Sequence, residues 1–300
     1  MTAPASAKTV VGESASGIRE TIMSASSHST EFLKDIRDFT TELAVRAGKL
    51  ALEMREAGGL QHDLKQEVEL VTSADLETSE MICAAIRETY PDHALLTEES
   101  EGAAAARPDL EGPTWIIDPI DGTVGYARGH FQFCVSIAFC DRGQILVGVV
   151  NCPALGELFS AVKSEGAFLN GERIQVSQTE ELEHSLVAIG FPHGWDGIDR
   201  LIERLGKVRK RCRDVRRSGS CAFDLCWVAC GRIDAYYEED LKAWDLSAGK
   251  LIAIEAGAEY GFFADNLRNE NPEIRGYANV TGNPKVFREL MPILDERTGE

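Results

Sequence analysis

Acidic residues stand directly at the ends of apolar runs in this chain. Glu98 follows Leu95-Leu96-Thr97, and Asp118 and Asp121 follow Trp115-Ile116-Ile117 with Pro119-Ile120 between them. Asp245 follows Trp244 at a predicted helix start. A carboxylate is costly to bury without a partner. Several that converge with no Lys or Arg between them suit a hard divalent cation, which takes oxygen ligands. In Asp118-Pro119-Ile120-Asp121-Gly122-Thr123, Pro119 stiffens the turn and Gly122 lets the backbone approach a ligand. Gly122 and Thr123 can present N–H groups at a helix start, a natural cradle for phosphate. Carboxylates would then hold metal on one side, and amides phosphate oxygen on the other. Asp-Gly is also an ordinary turn signal, so the motif alone leaves a plain turn open.

The neighbouring motifs carry a resemblance. The run Trp115 to Thr123 is similar to the first signature of the inositol monophosphatase family. Leu96-Thr97-Glu98-Glu99-Ser100 resembles its upstream glutamate motif, and Leu70-Val71-Thr72-Ser73-Ala74-Asp75 its segment with a water-activating aspartate. Asp234-Ala235-Tyr236-Tyr237-Glu238 matches as well, and Ala243 to Gly249, continuing to Glu255-Ala256-Gly257, resembles the carboxyl-terminal signature. These five motifs stand in family order.

The resemblance implies a magnesium-dependent phosphomonoesterase, a phosphoric monoester hydrolase that uses two to three Mg2+ per site and a metal-activated water. Glu98, Asp118 and the carbonyl of Ile120 would hold the first ion; Asp118, Asp121 and Asp245 the second; Glu98 would share a third. Asp75 and Thr123 would take the proton from water, with Glu98 orienting it. Gly122, Thr123, Gly219, Ser220, Cys221 and Glu238 would meet the substrate. A carboxylate at Glu238 favours a polyol, cyclitol or sugar phosphate; as a residue by itself it also reads as a solvent-facing strand end. The alternatives are a histidinol-phosphate phosphatase, a 3′(2′),5′-bisphosphate nucleotidase, or a metal-binding regulatory protein without catalysis. Val124-Gly125-Tyr126 and Gly257-Ala258 depart from the family pattern, and neither touches a proposed metal ligand. The implied fold is α+β, a layered α/β/α/β/α sugar-phosphatase arrangement shared with fructose-1,6-bisphosphatase. The implied assembly is a homodimer.

The elements that must position these groups can be read from periodicity. Phe32, Leu33, Ile36, Phe39, Leu43, Ala44 and Ala47 recur at helical spacing within residues 31–56. Residues 61–69 are polar and read as a loop. Asp75 reads as the N-cap of a helix stopped by Pro91. Residues 94–97, 114–117, 133–140, 145–150 and 158–162 read as strands of a largely antiparallel sheet, with turns at Gly143, residues 153–156 and Gly166. In the second half, residues 185–190 and 233–237 and the neighbourhood of Val280 read as strands. Residues 199–208, 220–230, 244–256 and 284–290 read as helices. The domain reading is a flexible tail over 1–30, an α+β half over 31–182 carrying the metal motifs, and a second half over 183–300 completing the site.

Of the 300 residues, Lys and Arg number 31 and Asp and Glu 49, a net charge of −18. That field disfavours nucleic acid and anionic membranes, so the expected partner is a small phosphorylated metabolite received by bound cations. No run approaches the roughly 18 apolar residues of a membrane span, and residues 1–30 lack a secretory core. None of the eight cysteines is spaced C-x-x-C, which predicts reduced core thiols and a cytoplasmic protein. The basic run from Lys207 to Arg217 reads as a solvated face or subunit contact, or as a collar that attracts an anionic substrate.

Overall fold

The structure is a computed structural model describing residues 28–58, 60–65, 69–100, 110–192, 197–263 and 276–295. The predicted tail lies almost wholly outside these residues. Two large sheets and three pairs of long helices alternate in five layers, with a small two-stranded sheet and one short α-helix beside them. The first sheet has seven strands in the order β3 (Ala94–Thr97), β4 (Thr114–Asp121), β5 (Cys134–Asp141), β6 (Gln144–Cys152), β7 (Glu157–Val162), β8 (Gly166–Leu169) and β9 (Glu172–Arg173). Only β3–β4 is parallel within it. The second sheet has the order β11 (Asp214–Arg216), β10 (Leu186–Ile189), β12 (Ala235–Leu241), β14 (Gly276–Gly282), β13 (Glu259–Phe262). This is the expected α+β layering.

Strand alternation assigns the layers. On β4, Trp115 and Ile117 face helices α1 (Thr30–Ala57) and α2 (Ser73–Thr89), with Ile36, Leu43, Ile82 and Ile86 opposite them. Ile116 faces the other way, towards α5 (Cys221–Ala229) and α6 (Ala243–Glu255). On β12, Tyr236 belongs to that central layer, whereas Ala235 and Tyr237 face α4 (Ile198–Arg209) and α7 (Pro284–Asp295). Helices α5 and α6 are therefore walled in by sheet on two sides, which explains why nearly all their residues are buried. The predicted boundary at 183 falls in the connection between the sheets, while the central core draws residues from both halves.

Several local readings are corrected. Residues 61–69 are not a simple loop: β1 (His62–Lys65) pairs antiparallel with β2 (Glu69–Thr72). Asp75 is not the N-cap of α2. Thr72 is, and Asp75 sits at the third helical position, where its carboxylate accepts the Thr72 N–H at 2.8 Å. Capping is thus reciprocal, and it fixes the Asp75 rotamer. The basic run contains the parallel edge strand β11, too short and too charged for its periodicity to show. Strand β13 was missed as well.

The close approach of α6 to the first sheet depends on Gly148 of β6. A Cβ there would lie 2.7 Å from the Ala248 carbonyl oxygen and 3.0 Å from its Cα, both backbone atoms. We predict that Gly148→Ala costs about 1–3 kcal/mol, as overpacking does. A urea unfolding midpoint equal to that of the wild type would show that the helix does not dock this tightly.

Candidate functional site

Strand β4 delivers two carboxylates to one place by breaking its own alternation. Asp118 pairs with Ser136 and Asp121 with Cys134, so three steps on β4 match two on β5. In a regular strand, residues three apart point to opposite faces. The bulge cancels that, as bulges beside functional sites do. Pro119 fits there because its missing N–H removes one ladder donor, and the Ile120 N–H turns back to Asp118 Oδ1 at 3.1 Å. The parallel register of β3 on β4 sets Thr97 opposite Ile117, and the Glu98 N–H reaches the Ile117 carbonyl at 3.2 Å. Glu98 is thereby placed beside Asp118.

Asp245 arrives from the other half of the chain. It occupies the third position of α6 and accepts the Lys242 N–H at 2.7 Å. The Ser136 hydroxyl donates to the Trp244 carbonyl at 3.3 Å, fastening the start of α6 to the β5 residue opposite Asp118. Asp121 is held by the Ser220 hydroxyl at 2.7 Å, the Ala222 N–H at 2.6 Å and the Cys134 thiol at 3.7 Å, all on Oδ2. Burial and these donors fix where the Asp121 carboxylate points.

The electrostatics describe a cation site. Burial first, and then the like charges of Glu98, Asp121 and Asp245, hold the Asp118 carboxyl well above its ordinary range. Burial and the charges of Asp121 and Glu98 do the same to Asp245. Burial raises Asp121, against the pull of its hydrogen-bond donors. Hard oxygen donors packed this way fit a hard divalent cation such as Mg2+, with Glu98, Asp118, the Ile120 carbonyl, Asp121 and Asp245 as the candidate ligands. Among the described residues, the one trio of ligand atoms lying within 4.8 Å of each other is elsewhere: Glu181, Glu183 and His184, all exposed. The ligand atoms of the buried carboxylates are spread more widely than those of this trio. The exposed trio is a solvated acidic turn.

Beside this cluster, the Thr123 hydroxyl lies 3.1 Å from Asp75 Oδ1 and 3.0 Å from the Ile120 carbonyl. Asp75 Oδ2 also takes the Thr72 hydroxyl at 2.5 Å. Gly122 has φ +94°, and a Cβ on it would lie 2.9 Å from the Gln132 carbonyl oxygen. Both conformation and space therefore demand glycine. Gly219 also has positive φ, and a Cβ on it would lie 3.4 Å from the Arg217 guanidinium. Ser220 and Cys221 are buried, and the Ser220 hydroxyl is committed to Asp121. Glu238 is not a solvent-facing strand end. It is partly buried, the Tyr236 hydroxyl donates to it, and burial pushes its carboxyl to about 8.

Sequence reasoning missed four contributors. Tyr236 stands two residues from Glu238 on the same strand face, which is the signal that could have found it. Gly190 ends the run of β10, and a Cβ there would overlap the Glu238 carboxyl, so this glycine makes the room that Glu238 occupies. Ser218 and Asp224 adjoin the Ser220 turn. All eight cysteines are free of disulfides, and seven are buried.

Comparison with known proteins settles the family. The family model described as inositol monophosphatase family matches residues 33–285. This chain belongs to the inositol monophosphatase family. It is 36% identical over 255 residues to the Nus factor SuhB of Pasteurella multocida, covering 83% of this chain and 93% of that protein. It is 38% identical over 230 residues to inositol monophosphatase 2 of Solanum lycopersicum, covering 75% and 86%. The crystal structure of the extragenic suppressor protein suhB from Bartonella henselae superposes with a TM-score of 0.79 at 31% identity, covering 87% of this chain and 99% of that one. No helix among the described residues is long and apolar enough to cross a membrane.

The shifts carry a definite sign for stability. The ordinary value for Glu238 is 4.5 and its folded value about 8, so the folded form binds this proton more tightly. Its contribution is complete below the unfolded value and is lost as pH rises through the folded one. In chelator, the urea midpoint should therefore fall between about pH 5 and about pH 8.5, and Glu238→Gln should flatten that fall. A midpoint that rises over this range would contradict the site electrostatics.

Proposed function

We propose that this chain is a Mg2+-dependent phosphomonoesterase acting on a small polyol, cyclitol or sugar phosphate. The observation that carries the reading is the hydrogen bond between the Thr123 hydroxyl and Asp75, set beside a cluster of mutually raised carboxylates. Family membership supports it. When bound, Mg2+ offsets the phosphate charge and makes water a better nucleophile near neutral pH.

The rest is work for the chain itself. A hydroxyl that donates to Asp75 keeps its lone pairs turned outward to accept a proton from water. As water attacks phosphorus, Thr123 takes that proton and passes its own to Asp75 Oδ1, while the ester P–O bond breaks and the leaving alkoxide gains a proton from solvent. Thr72 holds Asp75 from the opposite side, so the receiving oxygen does not swing away. Glu98 orients the water. The amides that open α3 (Thr123–Ala127) have no intrahelical acceptor and face the phosphate oxygens. Glu238, held by the Tyr236 hydroxyl, receives the hydroxyls of the leaving alcohol, which favours a polyol over an adenine nucleotide. A proton held to about 8 lets Glu238 act as donor or acceptor.

A second reading has a specific source, because one relative bears the name Nus factor. It makes this chain a binding partner instead of a catalyst. The Thr123–Asp75 bond favours catalysis, since binding alone needs no proton acceptor at that place.

The test is phosphate release from myo-inositol 1-phosphate, histidinol phosphate, fructose 1,6-bisphosphate and adenosine 3′,5′-bisphosphate, with and without Mg2+. Hydrolysis should be Mg2+-dependent and fastest on the cyclitol ester. Thr123→Ala should lower kcat by about 10²–10⁴-fold, the range of a lost acid–base group, and Asp118→Asn should abolish turnover. Full activity in excess chelator would end the proposal.

A further inference from the structure

An acid inside an apolar helix calls for a physical reason. Helix α5 reads Cys-Ala-Phe-Asp-Leu-Cys-Trp-Val-Ala, and Asp224 is its one charged residue, 2% exposed. Burying a carboxyl there is unfavourable unless something binds it. The Ser218 hydroxyl does, at 2.7 Å from Asp224 Oδ2. The same hydroxyl lies 3.1 Å from the Ser220 carbonyl. It carries one proton, and the shorter contact to a carboxyl is the better place for it. That leaves the Ser218 lone pairs for the Ser220 N–H, which approaches at 3.1 Å. Ser220 in turn donates its hydroxyl to Asp121 Oδ2 at 2.7 Å, and the Ala222 N–H adds a second bond to that oxygen at 2.6 Å.

We infer that Asp224 and Ser218 are positioning residues that lock the 218–222 turn so that Asp121 presents a fixed oxygen to the cation. The path is continuous: Asp224 to Ser218, Ser218 to Ser220, Ser220 to Asp121. Gly219 at its centre has φ +87°, so the turn has no ordinary residue to stiffen it and relies on these side chains. The helix begins on the same turn, with the Ser220 hydroxyl accepting the Phe223 N–H at 3.4 Å. The inference rests on Asp121 being a cation ligand.

The experiment measures Mn2+ uptake by the full chain from its paramagnetic resonance signal, together with the rise in Tm on adding Mg2+. Asp224→Leu and Ser218→Ala should each weaken Mn2+ binding by about 10- to 100-fold, as loss of a group behind a metal ligand does. Asp224→Asn retains an oxygen acceptor for Ser218 and should bind Mn2+ close to wild type. Because the two residues act on one path, the double variant should be little weaker than either single one. Ser218→Ala removes only a partly buried hydroxyl, so it keeps the test open should Asp224→Leu fail to fold. Variants that lose apo stability yet bind Mn2+ with unchanged affinity would overturn the inference. A wild-type chain that takes up no Mn2+ would overturn the metal reading itself.

Discussion

Like charges held close together are what the rest of this architecture must accommodate. Two unit charges about 4 Å apart repel by about 4 kcal/mol at an effective dielectric near 20. Hydrogen bonds to charged groups contribute about 1.5–3 kcal/mol each. The donors on Asp118, Asp121 and Asp245 are therefore of the same order as the repulsion and cannot overcome it for every ionised state at once. Either protons or cations must occupy the cluster. The donors decide something else, namely where each carboxylate points. Each of these three accepts a backbone amide on one named oxygen, which fixes the orientation of the carboxylate.

Rigidity of that kind comes from elements meeting end-on. The bulge in β4 turns a two-sided strand into a one-sided ligand pair, and the parallel neighbour β3 adds Glu98 in register. The bond from Ser136 to the Trp244 carbonyl ties the start of α6 to the same level of the sheet. Asp75 and Thr123 come from the starts of two further helices. Helix starts recur because their third residue can bond back to the cap amide, which fixes a carboxylate without using a basic side chain.

Much of this was legible in the sequence because cost leaves a trace. An acid after an apolar run is expensive, and Glu98, Asp118, Asp121 and Asp245 could be singled out on that ground. Long apolar patterns gave α1, β5 and β6 within a few residues. Asp75 was recognised as important but misplaced by three positions, because reciprocal capping puts an acid at the third helical position as readily as at the cap. The β1–β2 hairpin escaped because Leu64, Leu70 and Val71 stand among polar residues in two strands of four, too short to show a period. Edge strand β11 escaped because three residues show no period. Tyr236 was within reach of strand alternation, two residues from Glu238, but Gly190, Ser218 and Asp224 were invisible for another reason: each matters through a neighbour distant in the chain or across a turn, and one strand's pattern says nothing about what will lie against it. The tight fit of Gly190 to Glu238 exists only once β10 and β12 are side by side.

Helix α6 touches both sheets, and nearly every residue from Ala243 to Ala253 is buried. A segment without a solvent side has almost no freedom to drift, because any change in bulk is felt by two layers at once. The outer helices α1, α2, α4 and α7 each keep a wet face. Divergence among relatives, and any attempt to retune this protein's solubility or assembly, will therefore concentrate on the outside of the stack and leave its middle helix nearly untouched.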